Sequence, residues 1–499
     1  MSENEKKALQ EKIGDENLNV TPMDFVRELV KQIIYNPKKR TAGNSYNYSN
    51  YSKENLNSWL QTPAANEVNL RNASRYLYLF SMHYQRLINY YANLPTWSYV
   101  ISPLNFDKTK IEGKKADSFR KQYLKVAHDI ELLNINETMR NILAVTLRDG
   151  TYYGVRWTDN SSSFIQMINP DICKITSISD GIFLFSVDMS KIGADKLEYY
   201  PPIFTKMWSA YNTTGQAYQE VPADVSICIK ADPTILDYSV PAFGAVMPSL
   251  YTIANVESLQ ETQDELNNYK MVYGEIPVDK DGAPTIPWDL ALKYYSNISN
   301  ALGDNVGLGM APFKLSSIDF ENSGAVAEVD TVSRAISNYW ATAGTSGLLH
   351  GMPNSTAGVT KLAIKNDEVY VMGIVKQIER WFNRYLKTAF TGTIKFKLTF
   401  LPITIYNRDE FIQMYKESVS FGIGKSYYMA ALGIPQFDVE GLSYLEDEVL
   451  KYDEVLKPLI NSHNASADEL NESGRPKESD EDLDDAGEAT RDNDTNADR

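Results

Sequence analysis

The chain has 499 residues, 43% of them hydrophobic, and a formal net charge of −16. That length exceeds one ordinary core, so two or more domains are expected, and the acidic balance excludes a large basic surface wrapped by nucleic acid. Two cysteines, Cys173 and Cys228, give neither a disulfide framework nor zinc-ligand spacing and read as buried thiols, and no apolar run is long enough to cross a bilayer.

Met1–Gly14 is charged and lacks an apolar centre, so no signal peptide is expected, and 1–20 reads as disordered. Thr21-Pro22-Met23-Asp24 opens a helix to about Tyr35: a hydroxyl at the cap, proline just inside, an acid in the first turn. A polar, tyrosine-rich stretch follows. Ala73–Ala92 has the spacing of one amphipathic helix ended by Pro95, and Phe119–Leu132 and Asn136–Arg148 predict two more. From Gly150 the period shortens. Tyr152–Trp157, Phe164–Ile168, Ile172–Ile178 and Gly181–Val187 predict short strands, and Ile203–Trp208 and Val225–Lys230 extend that β-rich body.

Pro248 starts a helix to about Lys270 whose apolar face is sparse; Glu257, Gln260, Glu261, Asp264 and Glu265 dominate it. A helix this polar is poorly buried by its own chain and is expected to pack beside copies of itself. Met271–Glu321 is a compact insert: strand, turn at Asp281-Gly282, helix Trp288–Ala301, strand. Val326–Leu349 returns as a helix, with Val329, Val332, Ile336, Tyr339, Trp340 and Ala343 at helical spacing. Glycines and hydroxyls crowd Gly344–Gly358. A helix from about Thr360 to Phe390 follows, roughly 45 Å long. Ile394–Leu401 alternates as a strand continuing to Tyr406. Helices are expected from Asn407 to Ser420, Ser426 to Leu432 and Leu442 to Leu459. Ser466–Arg499 holds 13 acidic and 4 basic side chains, a net of −9, and reads as a disordered tail.

Chemical motifs are thin. Gly422-Ile423-Gly424-Lys425-Ser426 resembles the end of a phosphate-binding loop, but Val419 stands where the first glycine belongs and a helix precedes it. A helix–glycine–helix turn fits better, with Gly422 stopping one helix and Ser426 capping the next. Gly344-Thr345-Ser346-Gly347-Leu348 resembles a nucleophile elbow without its last glycine, and no acid is arranged with His350. No histidines have metal-ligand spacing. The chain is expected to be no enzyme, with no cofactor. Among its 32 tyrosines many are paired, which suits either subunit contact or a half-buried core.

The order of these parts resembles the portal proteins of tailed bacteriophages, as does Gly474-Arg475-Pro476 ahead of an acidic ending. The resemblance implies an α+β fold with a β-rich wing (21–247), a stem of two helices (248–270 and 326–349) and a small α/β clip (271–325). It also implies a tunnel loop (350–360), a long helix with a wing strand (361–407), a helical crown (408–462) and the acidic tail (463–499). It further implies a homo-oligomeric ring, usually of twelve subunits, at a capsid vertex, with double-stranded DNA passing through its channel. Terminase, capsid or scaffold protein and a head-tail adaptor are the implied partners, with no membrane; the site is the virion, after assembly in host cytoplasm. Met352, Asn354, Ser355, Thr356, Lys361 and Lys365 become the expected channel-facing, DNA-facing residues. The alternatives are another head-tail adaptor or capsid component, or a soluble hydrolase using Ser346.

Overall fold

The computed structural model describes residues 51–452, apart from 106, 108–110, 159–162, 195–196, 198–199, 269, 276, 278, 280–284, 302–305, 312–327, 346–356, 391 and 393. The expected helix at 21–35, most of the tunnel loop and the expected disordered ends lie outside the described residues.

The fold mixes helices with small sheets, an α+β arrangement. Helix α1 (Lys53–Gln61) is capped by Ser52, whose Oγ accepts from the Asn55 N–H. Two helices, α2 (Glu67–Phe80) and α3 (Met82–Asn93), stand where one was expected over 73–92. Ser81 breaks the run: its backbone is extended, and its Oγ accepts from the Tyr84 N–H at 3.5 Å as a cap for α3. Strand β1 (Tyr99–Pro103) was not expected; helices α4 (Lys114–Glu131) and α5 (Ile135–Asp149), and strands β2 (Thr151–Thr158), β3 (Ser163–Met167), β4 (Cys173–Ser179) and β5 (Ile182–Asp188), follow close to expectation. The β4–β5 hairpin turns at Asp180-Gly181, both at positive φ (53° and 70°), as a tight primed turn requires.

Residues 203–208, expected as strand, are part of helix α6 (Pro202–Thr214). Proline in its first turn and Gly215 at φ 72° just past its end override a short run whose alternation fits either period. After β6 (Tyr218–Glu220) and β7 (Ser226–Lys230), helix α7 (Met247–Asn268) leads into the insert. That insert is β8 (Lys270–Glu275), α8 (Trp288–Ala301) and β9 (Val306–Ala311), with the two strands parallel, a βαβ unit. Helix α9 (Glu328–Ala343) stops six residues short of expectation, where Gly344 turns left-handed at φ 79°. Helix α10 runs 33 residues, Ala357–Ala389. Strand β10 (Phe396–Phe400) ends ahead of Pro402 rather than reaching Tyr406. Helices α11 (Arg408–Ser420), α12 (Lys425–Leu432) and α13 (Gln436–Tyr444) close the described chain, and a π-turn over Leu445–Val449 extends α13.

The chain divides into two compact units, each built from three segments. The first comprises Met1–Ala92, Leu143–Tyr152 and Lys230–Tyr370. Its core buries Leu70, Leu77, Tyr84, Leu87, Tyr339 and Trp340 almost completely, each such side chain contributing about 1.5–3 kcal/mol. Here α7 packs along α9, and α1 packs on both α2 and α7.

The second unit comprises Asn93–Ile142, Tyr153–Ile229 and Val371–Arg499. Its main core gathers Tyr153, Val155, Phe183, Phe185, Phe204 and Cys228, and Cys173 lies half-buried at the edge of the same cluster; neither thiol is in a disulfide. A sheet of order β4-β5-β6 buries every residue of its central strand. β1 pairs antiparallel with β10, Tyr99 opposite Phe400 and Pro103 opposite Phe396. Beside it, Val100, Leu401 and Ile403 pack on Ala430 and Ala431 of α12.

Candidate functional site

Two of the six expected DNA-facing residues are placed. Lys361 and Lys365 stand on the first turns of α10, both exposed and one helical turn apart. Met352, Asn354, Ser355 and Thr356 lie outside the described residues. The helix begins at Ala357 rather than Thr360, so the end of the expected loop is helical. Gly358 is tolerated there at about 1 kcal/mol relative to alanine.

The helix carrying these lysines is anchored through a buried carboxylate. Asp367, 2% exposed, accepts hydrogen bonds from Tyr90 Oη at 2.9 Å and Tyr91 Oη at 2.8 Å. Burial pushes the Asp367 carboxyl above its ordinary range and the two tyrosine hydroxyls pull it back. Burial and the adjacent carboxylate push the Tyr91 hydroxyl far up, so it stays a donor. Tyr370, one turn along, meets the Tyr91 ring edge-on at 5.7 Å, and Phe243 lies 4.9 Å from Tyr91. The Tyr90-Tyr91 pair therefore works inside this unit. Tyr152 and Tyr153 are likewise buried, whereas Tyr294 and Tyr427 of the later pairs are exposed.

The α7–α9 pair is unevenly buried. Met247, Leu250 and Ile253 are covered, but Ser258, Leu259, Glu261 and Thr262 of α7 are exposed, Leu259 by 69%. On α9 the covered end is Tyr339-Trp340; the His83 ring of α3 lies tilted to Tyr339 at 5.9 Å and edge-on to Trp340 at 6.0 Å. Burial lowers the His83 pKa.

In the second unit a buried ion pair ties β2 to α4. The Arg156 guanidinium lies 3.8 Å from the Tyr385 ring centroid, donates to Asp129 Oδ2 at 3.0 Å, and through Nε to Ser163 Oγ at 3.0 Å. Tyr385 Oη donates to the same Asp129 oxygen at 3.1 Å. Trp381 Nε1, also on α10, donates to the Ser226 carbonyl at 2.8 Å. Neither Asp367 nor Arg156 was singled out from the sequence. The available signal was an acid on the apolar side of a helix and an arginine within an apolar strand.

The tempting motifs resolve into turns. Gly422 and Gly424 are both left-handed, at φ 79° and 77°, between α11 and α12. Gly424, not Ser426, is the cap, because α12 already begins at Lys425. Ser346 and His350 lie outside the described residues. Among the described residues no group of three or more His, Cys, Asp or Glu could hold a metal, and no helix is long and apolar enough to cross a membrane. A cavity of about 80 Å³ in the second unit is lined by Trp97, Tyr99, Glu131, Asn134, Ala430 and Gly433 among others. Thr96 Oγ1 and Ser98 Oγ, both in its lining, share a hydrogen bond at 3.0 Å.

No protein-family model matches the chain, and no curated protein matches it. Solved structures do. The neck of an empty GTA particle computed with C6 symmetry matches at 13% identity over 74% of this chain and 94% of that chain, with a TM-score of 0.43. The neck of a native GTA particle computed with C12 symmetry matches at 12% identity, again over 74% and 94%, with a TM-score of 0.41. At those scores the functional reading rests on the chain's own elements.

Proposed function

We propose that this chain is the subunit of a portal ring: a homo-oligomer, usually of twelve copies, at a capsid vertex, through whose channel double-stranded DNA is packaged and ejected. The observation that carries the reading is one succession of elements. Two mutually packed helices, α7 and α9, flank a small βαβ insert and lead, through a glycine- and hydroxyl-rich stretch, into the 33-residue α10. The polar, uncovered outer part of α7 supports self-association, because one copy of the chain does not bury it.

In this reading 350–360 faces the channel, and Lys361 and Lys365 offer DNA phosphates a few weak contacts per subunit. Weak contacts suit translocation, since tight phosphate binding stalls sliding. The chain guides DNA and catalyses nothing itself; the motor is a separate terminase, and a head-tail adaptor and capsid or scaffold protein dock on the same ring. Native mass spectrometry with negative-stain imaging tests the proposal. The expected result is a closed ring with a central channel. A monomer persisting at high protein concentration overturns it.

A further inference from the structure

The solvent face of α10 in the second unit carries a basic stripe that neither the fold nor the ring reading uses. Lys376, Arg380, Arg384 and Lys387 follow at spacings of four, four and three residues. They fall within an arc of about 80° and extend about 16 Å along the helix. Lys376, Arg380 and Lys387 are exposed and Arg384 half-buried. Their contacts leave the charge uncancelled. Lys376 pairs with Glu379 at 2.9 Å, Lys387 meets Asp180 at 3.6 Å, and Arg384 donates to the neutral Ser179 carbonyl at 2.8 Å. Arg380 lies over Gly181, where a Cβ would collide with its guanidinium. Lys395 adds a fifth cation at the helix end, donating to the Phe390 carbonyl at 2.6 Å. Five cations thus face two carboxylates.

The same chain holds the complementary polyanion. Within Glu478–Asp485, six of eight residues are acidic and none is basic. Tyr452, the last described residue, belongs to the same unit as the stripe. Roughly 25 residues separate it from Glu478, a length of chain that spans at most about 85 Å. We propose that the acidic segment Glu478–Asp485 docks on the basic stripe of α10, covering it against other polyanions. Electrostatic complementarity within one molecule drives the docking, whether or not the chain forms a ring. Tethering gives the segment an effective concentration near the millimolar range, so individually weak pairs suffice. Screening at 1 M salt, with a Debye length of about 3 Å, abolishes them.

A labelled peptide spanning Lys477–Gly487 serves as the probe, against the full chain and against the chain ending at Asn464. The truncated chain should bind the peptide about ten-fold or more tightly than the full chain. Binding should vanish at 1 M salt and in a truncated chain carrying Lys376→Gln, Arg380→Gln and Lys387→Gln. In the full chain, zero-length carbodiimide coupling should join Lys376 or Lys387 to carboxylates of 478–485. Equal peptide binding by full and truncated chains, binding unaffected by the triple substitution, or coupling no greater than to Lys361 and Lys365 overturns the proposal. A duplex DNA probe bound as tightly by the full chain as by the truncated one assigns the face to nucleic acid and also overturns it.

Discussion

Tyr91 donates its hydroxyl hydrogen to Asp367 Oδ1 at 2.8 Å, joining positions 276 residues apart. Tyr90 donates to the other carboxylate oxygen, so both hydroxyls of an adjacent pair converge on one buried acid. The bond ties α3 to the part of α10 that carries Lys361 and Lys365. A carboxylate placed here without donors would be desolvated and unpaired, so the tyrosines are the condition for its burial. Tyr91→Phe removes one donor and leaves the ring packing in place. It should destabilise by about 1–3 kcal/mol. Chemical denaturation of the two proteins measures the difference; equal midpoints would dismiss the bond as incidental.

The same carboxylate predicts a pH dependence with a definite sign. Burial raises the Asp367 pKa in the folded state above its ordinary value of 3.8. The folded protein therefore takes up a proton more readily than the unfolded chain. The stability linked to this group is fully present below the ordinary carboxylate value and is lost as pH rises through the raised one. Asp367→Asn cannot titrate. The melting temperature of the wild type minus that of Asp367→Asn should thus increase on acidification from neutral pH toward pH 4. A difference that is flat, or that falls, excludes a raised carboxyl at this position.

Gly150 and Gly113 offer a controlled contrast in backbone conformation. Both have positive φ, 85° and 63°. A Cβ on Gly150 would lie 2.4 Å from the Val240 carbonyl oxygen, whereas one on Gly113 meets nothing within 4 Å. At ψ −139° Gly113 lies in a backbone region that glycine alone adopts readily, so Gly113→Ala should cost backbone strain of about 1–3 kcal/mol and nothing further. Gly150→Ala adds a collision with backbone and should cost about 3 kcal/mol or more. Comparable losses for the two in thermal melting would mean that the Val240 segment yields freely.

Much of this architecture was readable locally, and the exceptions share a cause. The insert between α7 and α9, the length of α10 and the strands after Gly150 each announce themselves by period and by flanking proline or glycine. The pairing of Tyr99–Pro103 with Phe396–Phe400 does not, because periodicity says which face is buried and never which distant strand covers it. Ser81 looked like one more polar position on a helix, yet its hydroxyl caps a new one. Pro202 and Gly215 bounded a helix that alternation alone made a strand. Asp367 was hidden for the opposite reason: its donors are remote in sequence, and a lone acid on a helix reads as solvated.

Arg156 shows what a half-removed ion pair costs. Its side chain is 1% exposed and that of Asp129 14%. Arg156→Ala leaves Asp129 in a poorly solvated position with, among the described residues, only the Tyr385 hydroxyl as a side-chain donor, and empties the face of the Tyr385 ring. The expected loss is about 3–5 kcal/mol. Arg156→Met with Asp129→Leu refills the volume without charge and should recover part of it. A double substitution no more stable than Arg156→Ala would assign the loss to packing rather than to the stranded acid.

Truncation after Asn464 tests the composition argument for the tail. It removes 13 of the 65 acidic residues in a segment too poor in apolar side chains to build a core. Thermal melting should change by less than about 1 kcal/mol, as for surface substitutions, and assembly should persist. Loss of the assembly on truncation would show instead that the tail clamps one copy to another.

The segment ahead of α10 carries the sharpest functional expectation. Glycines and hydroxyls crowd its sequence. The helix behind it is held by Asp367 to two tyrosines and, further along, by Trp381 to the Ser226 carbonyl. On the proposed reading, this segment lies against the passing duplex and the helix behind it is its mount. On that reading, Lys361 and Lys365 on the first turns of α10 would offer one or two phosphate contacts per subunit, each weak at physiological ionic strength and significant only when summed around a ring. Since α10 starts at Ala357, deleting Pro353–Thr356 spares the helix. Assembly should be intact by native mass spectrometry, while the DNA retained per purified particle falls or its length distribution broadens. Lys361→Gln with Lys365→Gln should weaken retention less, and the effect should shrink at higher salt. Wild-type DNA content in particles carrying the deletion would remove this segment from the channel while leaving the ring itself to stand or fall by its own measurement.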